Sequence, residues 1–91
     1  MKFRITRHSG FSAPADALEL LWQRLESHRS GVTFTKVGPQ LRATVNKGAP
    51  ASMDRNVREE VDRLVVLNVV REVCEGAPEL KIDWYAVGVL R

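Results

Sequence analysis

The opening stretch "KFRITR" alternates strictly, with Phe3 and Ile5 on one side and Lys2, Arg4 and Thr6 on the other, the two-residue period of a half-buried strand. Small and turn-forming residues in "HSGFS" break it. Leu18, Leu21, Trp22 and Leu25 then recur at helical spacing behind Ser12, Pro14 and Asp16, which offer a cap, a first-turn proline and an early acid. The pattern predicts a helix ending near His28. In "GVTFTKVGPQLRATVNKG", Val32 and Phe34, then Leu41, Ala43 and Val45, alternate with polar residues on either side of Gly38 and Pro39. This is a hairpin signature, although the proline argues against a two-residue turn of the primed kind.

"GAPASMD" offers Ser52 or Asp54 as the cap of a second helix, and Gly76 stands where a left-handed C-cap would end it at Glu75. Val65, Val66, Val69, Val70 and Val73 favour strands by propensity. Yet "RNVREEVDRL" leads in with good helix formers, and about twenty residues without a breaker exceed an ordinary strand. "KIDWYAVGVL", aromatic and β-branched, predicts the last strand. The order β-α-β-β-α-β predicts one α+β domain over residues 1–91. Its expected architecture is a ferredoxin-like two-layer sandwich, a four-stranded antiparallel sheet of order 4-1-3-2 with two helices on one face.

The second helix holds a complication. At ~100° per residue, Val57, Val61, Leu64 and Val65 fall on one side, with Val66, Val69, Val70 and Val73 largely opposite. Asn68 joins Arg71, Glu72 and Glu75 in a polar sector and is expected to be partly exposed. A surface helix buries one face, so the valines opposite Asn68 demand a cover, whether helix one with Trp22, the C-terminal segment or a second subunit. The last strand is apolar on both sides at a sheet edge, which also calls for one. The predicted contact surface comprises Val66, Val69, Val70, Val73, Tyr85, Val87 and Val89, and the expected partner is a second copy or another protein.

Composition adds less. With 44% hydrophobic and 27% charged residues the chain is an ordinary globular one. Its net charge of +3 divides into +5 over residues 1–47 and −2 over 48–91. Lys2, Arg4 and Arg42 should cluster on the sheet face away from the helices, a candidate contact for nucleic acid or another polyanion, ranked below a merely solvated face. RNA-recognition domains are similar in architecture but read bases with aromatics on the two central strands. Here those positions hold Lys, Arg and Thr.

Arg7, His8, Ser9 and Gly10, just before the first helix, form a candidate anion loop. In fold, length and loop placement the chain is similar to acylphosphatases, but their glycine-rich signature with its terminal Arg does not occur. No catalytic residue is therefore assigned, and a phosphoryl-handling enzyme ranks third. Two distant histidines and one cysteine give no metal-ligand spacing, and nucleotide-binding loops and nucleophile elbows are absent. The expectation is a non-enzymatic module without cofactor, with Cys74 a buried thiol. No apolar signal core follows Lys2 and Arg4, and no run approaches ~20 apolar residues. A cytoplasmic protein with no membrane contact is expected.

Overall fold

The computed structural model describes residues 1–7 and 15–91. The elements are β1 (Lys2–Arg7), α1 (Ala15–Ser27), β2 (Val32–Val37), β3 (Gln40–Val45), α2 (Arg55–Glu75) and β4 (Val87–Leu90), with single 3-10 turns at Pro78–Leu80 and Trp84–Ala86. The fold is α+β, one four-stranded antiparallel sheet and two helices. The sheet order is β2-β3-β1-β4, which counted from the β4 edge runs 4-1-3-2. Burial alternates along β1 and β3 as the sequence period demands. Phe3, Ile5, Phe34, Leu41, Ala43, Val87 and Val89 meet Leu21, Trp22 and Leu25 of α1 and Val66, Val69, Val70 and Val73 of α2 in one core.

Three local features differ from the sequence reading. The β2–β3 hairpin does close with two residues: Val37 pairs with Gln40, and Gly38 takes φ 60°. A II′ turn needs positive φ only at its first central residue, so Pro39 fits at the second. Gly76 is right-handed (φ −78°, ψ −6°); its N–H donates to Glu72 and that of Ala77 to Cys74. The helix stops because Pro78 drives Ala77 out of the helical region, to φ −134° and ψ 59°. The last strand spans only four residues, because Lys81 turns into the left-handed region at φ 54° and ψ 41° and Trp84–Ala86 coil into a 3-10 turn. Trp84 is half-buried against the core, with Arg71 stacked 5.9 Å from its ring centroid. Tyr85 is 65% exposed, edge-on to Trp84 at 6.1 Å.

Helix α2 decides the arrangement. Asp54 caps it, accepting the N–H groups of Asn56 and Val57 at 3.0 and 3.4 Å. Its 21 residues extend about 32 Å, whereas the six-residue strands reach about 20 Å. Only the second half can lie over the sheet. There Val66 and Val70 are fully buried, with Val69, Val73 and Cys74 beside them. The same inward direction in the first half carries Glu59 and Asp62, which meet the end of the sheet where β1 starts and β3 and β4 finish. Asp62 accepts the N–H of Ala49 at 3.0 Å, and Glu59 pairs with Arg91 at 2.8 Å.

Candidate functional surfaces

The predicted contact valines are core. Val66, Val69, Val70 and Val73 are covered by the protein's own sheet, and Val87 and Val89 by the helices. Of the three covers open to them, helix one with Trp22 and the C-terminal strand share the core with these valines, which corrects the preference for a second subunit there. Tyr85 alone of that set is exposed, and it stands in a turn, off the strand.

The unexpected surface lies on the other side of α2. Val57, Leu64 and Val65 are 49%, 44% and 37% exposed, with half-buried Val61 between them. Asn68 is exposed, as its polar sector predicted. Residues 57, 61, 64 and 68 repeat at 4-3-4 spacing and so share one outward stripe. The clue was the length of the helix. Twenty-one residues cannot all cover six-residue strands, so one stretch had to be polar inward and free outward.

On the open sheet face, Lys2, Arg4 and Arg42 are all exposed, as their parity in the strands requires. The register places Arg4 directly opposite Arg42, with Thr35 beyond Arg42 and Leu90 beyond Arg4. The next row on this face is Lys2, Thr44 and Thr33. Arg4 donates to the carbonyl of Arg91 at 3.5 Å and Arg42 to Gln40 Oε1 at 3.4 Å. Neither makes an ion pair among the described residues.

The strands contain no Asp or Glu at all. All acids of the chain lie in the two helices, at the α2 cap, or in the 78–86 connection. Lys36, whose side chain lies on the helix side, is neutralised by Glu19 at 2.8 Å. The open face is thus cationic, with no acidic side chain paired to Arg4 or Arg42 among the described residues.

Sequence reasoning missed Asp62, which is only 4% exposed. It floors an open cleft lined by Met1, Lys2, Gly48, Ala49, Arg58 and Arg91. A side chain at position 48 would come within 3.1 Å of the Asp62 carboxylate, so a glycine there lets the loop approach. Of the predicted anion loop, Arg7 is exposed at the end of β1, opposite Val87. His8, Ser9 and Gly10 lie outside the described residues. Cys74 is buried, and burial, with Glu75 adding to it, pushes its thiol up to about 11, so it stays protonated and unreactive. Among the described residues no group of His, Cys, Asp or Glu is placed to hold a metal ion, and no helix is long and apolar enough to cross a membrane.

No protein-family model matches the chain, and comparison with curated proteins and with solved structures gives no significant match.

Proposed function

We propose that this chain is a small non-enzymatic association module of ferredoxin-like arrangement, which pairs with a second copy through the outer stripe of α2. The observation carrying this reading is the exposed row Val57, Leu64 and Val65 on a helix that is otherwise well packed. Charge pattern favours a second copy as the occupant. In an antiparallel pair of α2 helices, the register that sets Val61 against Leu64 also sets Val57 against Asn68 and Asp54 against Arg71, each contact occurring twice by symmetry. Opposite charges therefore close both ends of the apolar stripe.

Magnitudes make the pairing weak. Fully burying a Val or Leu contributes about 1.5–3 kcal/mol, so six half-exposed side chains contribute about 4–9 kcal/mol. Association itself costs about 4–15 kcal/mol. The dimer should form in the upper micromolar range or above. Sedimentation velocity from about 10 μM to about 1 mM tests it. Leu64→Glu should hold the protein monomeric, and Asn68→Leu, extending the stripe, should shift dimerisation to lower concentration. A single monomeric species throughout, unchanged by Asn68→Leu, would overturn the reading.

A further inference from the structure

We propose that the open face of the sheet binds the phosphodiester backbone of a nucleic acid, without reading its sequence. This surface is independent of the α2 stripe. Three observations point there: the register, the charge segregation and the lack of rings.

Antiparallel neighbours directly opposite each other repel when both are cations, yet Arg4 and Arg42 occupy such a pair at the centre of the sheet. Among the described residues no acidic side chain pairs with either, and the four strands contain no acid. Segment 8–14, outside the described residues, contains none either. A polyanion supplies the missing charge.

The face is also rich in donors. Thr6, Thr35 and Thr44 surround the cations, while the Thr33 hydroxyl donates to Asn46 Oδ1 at 3.0 Å; free hydroxyls of this kind commonly serve phosphate oxygens. Along β1, Lys2 and Arg4 are two residues apart, about 6.8 Å, so both can reach phosphates of one backbone. No aromatic ring stands on the outward positions of β1 to β4. Base stacking, the usual device of single-strand binders, therefore has no ring on the strands themselves, and the duplex backbone is the better-matched ligand. The apolar side chains of this face, Val37 and Leu90, stand on the edge strands, and the outward positions of the central β1 and β3 hold only cations, Thr and Gln.

The test is fluorescence anisotropy of a labelled 20-base-pair DNA duplex titrated with the full chain, repeated with labelled single-stranded oligo-dT of the same length. Three phosphate contacts give a log–log salt slope of about −2.7 on duplex, so raising salt from about 50 to about 200 mM should weaken binding about 40-fold. Arg4→Gln with Arg42→Gln should reduce duplex affinity at least about ten-fold and flatten the slope by about 1.8. Arg29→Gln with Arg55→Gln, the same charge change outside the sheet, should cost less than about three-fold. Arg4→Lys with Arg42→Lys keeps the charge and should retain binding, which separates lost contacts from a lost fold.

No binding at the lower salt overturns the proposal, as does equal loss in the two glutamine variants. A salt-independent affinity also overturns it. Competition by polyglutamate as effective as by unlabelled duplex would assign the face to an acidic protein instead. Oligo-dT binding more tightly than duplex would overturn the choice of duplex.

Discussion

Two substitutions on one helix test which side of α2 is core. Val70 has no solvent exposure, and Val70→Ala deletes two buried carbons. At about 0.8 kcal/mol per buried methylene, plus a cavity that the packed sheet cannot fully close, the loss is about 2–3 kcal/mol. For a domain of this size each kcal/mol moves Tm by about 4–8 °C, so Tm should fall by about 10–20 °C. Leu64 is longer, yet 44% of it already meets water and no cavity forms around it. Leu64→Ala should cost about 1 kcal/mol. Urea denaturation at a few micromolar, where the weak dimer contributes nothing, gives both values if m stays constant. A Leu64→Ala cost equal to or above that of Val70→Ala would refute the packing described and restore the first-half stripe as core.

Other outcomes follow from single groups. Cys74 should resist alkylation in the native state at pH 8 and react fully in urea. Because its folded value, about 11, lies above the ordinary 9.0, the thiol contributes stability that is complete below pH 9 and fades between pH 9 and 11; rapid native labelling would contradict this. Lys81 holds a left-handed backbone at φ 54°, a conformation that costs a side chain about 1 kcal/mol and glycine little. Lys81→Gly should therefore raise Tm by several degrees, and a fall would show that its side chain contributes more than the strain costs. Asp62→Ala strands the Ala49 N–H, which now donates at 3.0 Å, and should destabilise by about 1–3 kcal/mol; a change within about 0.5 kcal/mol would place a water there instead.

Much of the fold was legible along the chain. Period-two alternation in "KFRITR" and in the 32–45 hairpin assigned each residue its sheet face, because a strand offers only two directions and burial takes one. That alone puts Lys2, Arg4 and Arg42 on the open face. Helical periodicity likewise isolated Asn68 on a water-facing sector. Local chemistry was less dependable where two residues competed. Pro39 obscured a turn that Gly38 alone makes possible, and the aromatics at 84 and 85 read as strand although the chain coils there.

What the sequence left open was which of two apolar sides of α2 faces inward. Periodicity measures angles around a helix axis and says nothing of what stands beside it. Tertiary structure settled that, because α2 outreaches the sheet. Where the sheet is present, Val66, Val69, Val70 and Val73 bury against it. Where it ends, Asp62 and Glu59 meet loop amides and Arg91, and Val57, Leu64 and Val65 are left facing water. Pairing register, likewise a tertiary property, brought Arg4 and Arg42 into opposition from 38 positions apart in the chain.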